Sequence, residues 1–390
     1  MTKDQVRVLV FTDTLADING VCRFIQNIAQ TAHDTNQHLK VMTSTRLVLP
    51  EVDNVINFTP SIAMKMPKYE TLDLAIPPMI QMLRAAEEFK PDVIHISTPG
   101  PIGTVGMIAS KLMRVPVVGV YHTDFPAYVD ELFENRLCSW MCRMTMRVFY
   151  KQFRFVFSRS EDYKNRLVQL GIDQQKIAWL QPGFDNTRFD ATLRDPNIWD
   201  SFNINRDSIK AIYCGRVSTE KNLPTLVNLW NDARTKAKEA GKELDLIIVG
   251  DGPYREEMEQ ELNGQGAHFL GFRHGKELAT IYASTDFFVF PSTTDTLGQV
   301  VMESQASGLP VIVTDQGGPK EIVSDQHSNS PTAFVVPIED EEQWIKKIVE
   351  LATNDSMRSA MGRDGIEAMK NYTFTESFKH YWSVHEQATK

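Results

Sequence analysis

Residues 294–310, TDTLGQVVMESQASGLP, hold two carboxylates, Asp295 and Glu303, eight positions apart, then turn through Gly308 and Pro310 into an apolar run. Residues 214–222, CGRVSTEKN, hold two cations, Arg216 and Lys221, five positions apart on a stretch leading from one apolar segment toward a helix-like one. Carboxylates accept hydrogen bonds from hydroxyl groups. Two cations on one loop can neutralise an oxyanion such as a diphosphate, arginine through its planar fork and lysine as a mobile point charge. Glu220 stands between them, and a solvated loop with Glu220 as the partner of either cation reads the same way.

Two glycine stretches invite the same question. In ADINGVCRFI (16–25), Asn19 and Gly20 open a helix-like stretch, whose free backbone N–H groups and positive dipole end suit a phosphate. Many helices start with Asn-Gly for purely structural reasons. GDGPYR (250–255) begins like a GxGxxG dinucleotide loop, but Arg255 stands where the last glycine belongs and the first strand carries no such loop, which argues against a nicotinamide dehydrogenase.

Groups of this kind need rigid elements to present them. VRVLVFT (6–12), HLKVMTS (38–44), DVIHIS (92–97), PVVGVYH (116–122), FRFVFS (153–158) and KIAWLQ (176–181) are short apolar or β-branched runs, several of them separated by helix-like stretches. A second round comprises IKAIYCG (209–215), LDLIIVG (244–250), AHFLGF (267–272), TDFFVFP (285–291), PVIVTD (310–315) and AFVVPI (333–338). Continuous apolar strands alternating with helices imply parallel sheets covered on both faces, hence an α/β chain of two doubly wound domains. The stretch 182–208, rich in Asp, Asn and Pro and without sustained periodicity, marks the join. The domains are expected over 1–190 and 200–372, with a terminal helix over 373–390 packing back on the first. Ligands of such sheets bind beyond the carboxyl ends of the strands, and the cleft between two domains is the natural site.

Composition narrows the class. A chain of 390 residues, 42% hydrophobic and 23% charged, buries a large core and exceeds one ordinary domain. No run of about 18 uncharged apolar residues is present to span a bilayer. The amino end, MTKDQVRVLVFTDT, enters a strand pattern directly and lacks the order of a signal peptide, so a cytoplasmic location is expected. Cys22, Cys138, Cys142 and Cys214 are too sparse for a disulfide framework or zinc site and are expected to be core thiols. A net charge of −9 disfavours nucleic acid as a partner of the whole chain.

Taken together, GRVSTEK, TDTLGQVVMESQASGLPVIVT and GGPKEIV resemble the donor-binding half of a family-4 retaining glycosyltransferase with the GT-B fold, in which two Rossmann-like domains face a central cleft. That family carries two acidic residues separated by seven others, then a helix and a Gly-x-Pro turn into a strand; Asp295, Glu303, Gly308 and Pro310 match. INGV (18–21) and YHTDFPAY (121–128) look like its acceptor-domain loops, so the resemblance extends over nearly the whole chain. The closest motifs are those of glycolipid-forming members such as sulfoquinovosyl- and glucosyl-diacylglycerol synthases.

The resemblance implies a nucleotide-diphosphate sugar as donor, with UDP favoured over GDP and ADP, and no cofactor. Glu303 would accept the ribose hydroxyls and Asp295 would face the hydroxyls of the transferred sugar. The N–H groups near Leu297 and Gly298 would meet phosphate oxygens. Arg216 and Lys221 would stabilise the charge that develops on the leaving diphosphate, with the Gly20 helix start helping from the other domain and no divalent metal needed. His122 would hydrogen-bond the sugar or orient the acceptor, unless it is a buried structural histidine. Gly317 and Gly318 allow close backbone approach, and Glu321 would contact donor hydroxyls, although a plain turn before a helix looks identical. The family usually has Glu where Asp295 stands, one methylene longer, which leaves the donor sugar open. An epimerase or a sugar-nucleotide-binding protein on the same fold is the rival reading, as is a soluble or polysaccharide acceptor.

RLCSWMCRMTMRVFYKQFR (136–154) bears on the acceptor. Arg136, Arg143, Arg147, Lys151 and Arg154 fall within one stripe of a helix, with Cys138, Met141, Val148 and Phe149 on the opposite side. Either the apolar side packs and the cations are merely solvated, or five cations on a chain of net charge −9 draw it peripherally to an anionic leaflet of the cytoplasmic membrane, where a lipid acceptor resides.

Overall fold

The first apolar run forms β1 (Val8–Phe11), and all of its residues are buried. A strand covered on both faces has no wet face to alternate toward, so its sequence is continuously apolar. In the computed structural model, which describes residues 5–16, 20–49, 52–66, 69–122, 125–126, 129, 136–184, 188–295 and 297–390, each of the twelve quoted runs contains one strand. Asn19 and much of YHTDFPAY lie outside the described residues.

The first unit continues with β2 (Leu39–Thr43), β3 (Val55–Asn57), β4 (Ile62–Met66), β5 (Tyr69–Ile76), β6 (Val93–Ile96), β7 (Val117–Val120), β8 (Phe155–Ser158) and β9 (Ile177–Trp179). With β1, six of these form one seven-stranded parallel sheet, β3-β2-β1-β6-β7-β8-β9, and β4 pairs antiparallel with β5 apart from it. The second unit holds β10 (Ile209–Cys214), β11 (Leu244–Val249), β12 (Ala267–Gly271), β13 (Phe287–Phe290), β14 (Val311–Thr314) and β15 (Ala333–Val336), in the order β12-β11-β10-β13-β14-β15. Both sheets reverse direction of winding beside their first strand, between β1 and β6 and between β10 and β13. Beyond the carboxyl ends of the strands at such a switch, the flanking loops part and leave room for a ligand.

The chain divides into Met1–Gln181 with Phe374–Lys390, and Pro182–Thr373. The sequence places 182–190 with the first domain. Phe184 is instead buried in the core of the second unit, and its N–H donates to the Tyr372 carbonyl at 3.1 Å, so the chain changes unit directly after Gln181. The terminal helix Phe374–Ala388 lies on the first unit, with Phe378, Tyr381, Trp382 and Val384 in the same core as β1 and β7. Burying side chains of this size stabilises by about 1.5–3 kcal/mol each.

The helix Arg136–Lys151 corrects the expected arrangement of its faces. Ser139, Met146 and Tyr150 point into the core, with Cys142 and Phe149 half-buried beside them. Met141 and Val148, expected on the packed side, are exposed, and so are Leu137, at 63%, and Trp140. Arg143, Arg147, Lys151 and Arg154 are exposed as well. The helix therefore has three faces rather than two: an aromatic one on the core, a cationic flank, and an apolar stripe directed at solvent. Cys138 is exposed on it, unlike the buried thiols Cys22 and Cys214.

Candidate active site

Three strand-end loops of the second unit are stitched together at the switch point. Lys221, in the turn after β10, donates to Asp295 Oδ2 at 2.9 Å, and Ser292, just beyond β13, donates its hydroxyl to the same oxygen. Thr294 Oγ1 donates to the Glu220 carbonyl at 3.3 Å. From the loop after β14, the Gly318 N–H donates to the Asp295 carbonyl at 2.8 Å. Two of the proposed catalytic residues, Lys221 and Asp295, are thus each other's partners, both largely shielded from solvent. Arg216 stands apart: its side chain is exposed, 3.9 Å from Glu220, while its carbonyl accepts from the buried Tyr213 hydroxyl at 2.8 Å.

Asp295 leads through Leu297 and Gly298 into the helix Gln299–Ala306. Leu297 packs against the core, which leaves its backbone as the part available to a ligand. Gly298 adopts the left-handed conformation at φ 78°, and a Cβ there would lie 2.8 Å from Pro319 Cγ, so both the turn and the neighbouring loop require glycine. Glu303, one turn into that helix, is 6% exposed and accepts a long 3.5 Å hydrogen bond from the Tyr282 hydroxyl. Burial, with smaller contributions from Cys214 and Glu303, holds the Tyr282 phenol well above its ordinary pKa and keeps it a donor. Glu321 lies half-buried in the single turn Pro319–Ile322 next to this loop.

GDGPYR serves this site indirectly. A Cβ on Gly250 would lie 1.9 Å from the Gly215 carbonyl oxygen and one on Gly252 would lie 2.3 Å from that of Val217. Both glycines let the loop after β11 pack backbone to backbone against the loop that carries Arg216. Arg255 pairs with Asp251 and Glu259 within its own segment.

On the first unit, Gly20 opens the helix Gly20–Asp34. Asp13, which sequence reasoning missed, accepts from the N–H groups of Ile102 (2.8 Å) and Gly103 (3.3 Å) and from the Thr98 hydroxyl (2.6 Å). It fills the start of the helix Pro101–Met113 with the protein's own carboxylate, and the only signal for it was an acid directly after β1. His122 follows β7, packs edge-on against Phe24, and is buried with its Nε2 unpartnered. Burial, then the Arg159 charge, hold its imidazole neutral. Behind it lies a second buried pair. His385 Nδ1 meets the Tyr381 carbonyl at 2.7 Å and therefore carries the proton; its Nε2 accepts from His95 Nδ1 at 3.0 Å.

The geometry agrees with the kinship of the chain. Residues 18–188 match the family described as Glycosyltransferase Family 4, and residues 208–354 match Glycosyl transferases group 1. A GDP-mannose-dependent alpha-mannosyltransferase of Mycobacterium tuberculosis is 32% identical over 302 residues, 76% of this chain and 73% of that protein. The chain belongs to glycosyltransferase family 4. The sulfoquinovosyl transferase SQD2 of Arabidopsis thaliana is 27% identical to this glycosyltransferase over 373 residues, covering 94% of the chain and 70% of the relative. Among solved structures, Anabaena HepE in complex with UDP aligns at a TM-score of 0.76 over 98% of this chain and 100% of its own, at 18% identity. That likeness carries the GT-B fold, as expected.

For this glycosyltransferase, the strand-end loops after β10, β13 and β14 gather a cation, a carboxylate and the start of a helix in one place. Such a set can hold an anion beside hydroxyl groups. Ser292 and Tyr282 were not legible as members of it, since each acts only through a partner brought in by the fold.

Proposed function

We propose that this glycosyltransferase moves a sugar from a nucleotide-diphosphate sugar, a UDP-sugar by preference, to a hydroxyl of a membrane lipid of diacylglycerol type, with retention and without a divalent metal. The observation that carries the reading is the stitching of Lys221, Asp295 and the Gly298 helix start at the switch point of the second unit. As the anomeric carbon–oxygen bond breaks, charge develops on the diphosphate, where Lys221, Arg216 and the N–H groups near Leu297 and Gly298 stabilise it. The acceptor hydroxyl attacks on the face that the diphosphate leaves and passes its proton to the departing phosphate oxygen. Asp295 and Glu321 take sugar hydroxyls, Glu303 takes ribose hydroxyls, the Gly20 helix start meets the diphosphate, and His122 orients sugar or acceptor. The complex of HepE with UDP supports the base, and the mannosyltransferase relative makes GDP-mannose the competing donor.

Incubation with UDP-, GDP- and ADP-sugars, measuring released nucleotide with and without lipid acceptors, tests this. Acceptor-dependent release is expected from a UDP-sugar, and excess chelator should leave the rate within about a factor of two. Release independent of any acceptor would support the epimerase-like rival, and transfer to soluble acceptors alone would remove the lipid. A separate result is expected from Glu303→Gln. An amide offers the ribose one acceptor oxygen in place of two, so calorimetry should show the nucleotide diphosphate binding roughly tenfold more weakly. Unchanged affinity would end the ribose assignment.

The helix Arg136–Lys151 supports peripheral attachment to the cytoplasmic leaflet. Among the described residues no helix is long and apolar enough to cross a membrane. Cations near an anionic surface contribute about 1 kcal/mol each, and the stripe of Leu137, Trp140, Met141, Met144 and Val148 beside them is available for insertion. In liposome flotation, binding to anionic vesicles should fall with salt and with charge reversal at Arg143, Arg147 and Lys151. A salt-resistant remainder should disappear in Leu137→Ala/Trp140→Ala. Absence of binding at low salt would refute the attachment.

A further inference from the structure

Arg159 stands between Ser158, the last residue of β8, and Ser160, which caps the helix Glu161–Gln169. Its neighbour in the sheet, β7, ends just before His122, so the two side chains leave adjacent strand ends. The Arg159 Nε is buried without a hydrogen-bond partner, and its guanidinium makes no hydrogen bond or ion pair among the described residues. Burial pulls its pKa down to about 10, with no carboxylate opposing the shift. Its guanidinium carbon lies 4.8 Å from the centre of the Phe24 ring, which also packs against His122. The side chain is partly exposed at its outer end, but a guanidinium shielded at Nε without a counter-charge is costly to the fold, so a residue of this kind is kept for what it binds.

The arrangement also selects the ligand. Phe24 covers the flat face of the guanidinium and leaves its edge, where the N–H groups fork in one plane toward two oxygens of a tetrahedral oxyanion. Beside it the neutral imidazole of His122 has one donor and one acceptor, and its buried Nε2 also lacks a partner. A hydroxyl adjacent to the anion satisfies it. We propose that Arg159 and His122 form a phosphate-binding subsite on the first unit, for an acceptor that carries a phosphate beside its hydroxyl groups. The assignment rests on the reading that this unit receives the acceptor, and it narrows that acceptor from a neutral diacylglycerol to a phosphate-bearing one, lipid-borne or free.

The test is calorimetry on the full chain saturated with UDP, so that positions serving the nucleotide are already filled. Inorganic phosphate and glycerol 1-phosphate are titrated, with glycerol as the neutral control. Both phosphates should bind and glycerol should not. Arg159→Gln should weaken them about tenfold or more, and Arg159→Lys should retain part of the affinity, while UDP binds all three proteins alike. Vesicles of phosphatidylglycerol and of phosphatidylcholine separate the sources: binding of the former that drops in Arg159→Gln identifies a lipid headgroup, and dependence on Arg159 for glycerol 1-phosphate alone identifies a soluble ligand. On the wild-type chain, histidine-labelled NMR gives a readout independent of any variant, because phosphate on Arg159 cancels the adjacent charge and moves the His122 titration upward. A titration with no heat from either phosphate and an unmoved His122 would overturn the subsite, as would undiminished phosphate binding by a folded Arg159→Gln. Failure of UDP to bind would instead count against the nucleotide-sugar reading; the phosphate titrations on the unloaded chain then decide the subsite by themselves.

Discussion

Lys221→Ala should lower kcat by about two orders of magnitude or more, the loss expected when one preorganised charge partner of a developing oxyanion is removed, roughly 3–4 kcal/mol of barrier. The pairing of Lys221 with Asp295 makes the variant worse than a simple deletion. With the ammonium gone, Asp295 keeps only the Ser292 hydroxyl among the described residues and leaves an uncompensated, partly shielded carboxylate where the diphosphate must sit. That stranded charge should also cost about 1–2 kcal/mol of stability. Lys221→Ala/Asp295→Asn separates the two consequences: the amide removes the stranded charge and should restore most of the denaturation midpoint, while turnover stays low. Arg216→Ala should lose less, because its exposed side chain is held only by a 3.9 Å approach to Glu220 and is not preorganised. Near-normal turnover in folded Lys221→Ala would remove the diphosphate assignment. Recovery of both rate and stability in the double variant would reduce the pair to a structural contact.

What was legible follows from where side chains lie. The central strands of the two large sheets are buried on both faces, and runs such as LDLIIV cannot be mistaken for surface. β3 has only three residues, and β4 and β5 carry Lys65, Glu70 and Asp73 in a separate antiparallel pair, so no apolar run announced them. The break after Gln181 was hidden because Phe184, one aromatic residue in a polar stretch, decides it through contacts with Tyr372 and Thr373, far along the chain. Asp295 and Glu303 were readable as candidates from spacing and from the family's pattern. The ion pair of Asp295 with Lys221 was not, since the two are 74 residues apart and only parallel strand order makes their loops neighbours. Arg159 gave no signal either. A cation between a strand and a capping serine reads as surface, and only the fold sets it beside Phe24 and His122 without an acid.

The first unit should lose stability as pH falls below about 6.5, and its buried histidines are the reason. Burial holds His385 down to about 4, partly offset by its bond to the Tyr381 carbonyl, and it holds His95 well below its ordinary value, with His385 and His122 adding to the effect. His122 is lowered likewise by burial and then by Arg159. Since His385 Nδ1 and His95 Nδ1 carry the protons of their two bonds, His95 Nε2 is a bare lone pair, buried and unpartnered, so protonation would place a cation there with no acceptor. The unfolded chain takes up these protons near the unperturbed value and the folded chain does not. Their contribution is therefore fully present above about pH 6.5 and is lost as pH falls toward the folded values, by up to roughly 1.4 kcal/mol per pH unit for each histidine. Asp13, raised by burial, works in the opposite direction as pH falls through its folded value. Urea unfolding at pH 7.5, 6 and 5, with limited proteolysis to assign the earlier transition, should show the first unit weakening by several kcal/mol while the second changes little. His95→Gln removes one titrating group and should flatten the dependence even though it lowers stability at neutral pH. A first unit as stable at pH 5 as at pH 7.5 would mean that these histidines find solvent or a counter-charge when protonated, which the packing of His95 among Phe157, Tyr381 and His385 does not provide.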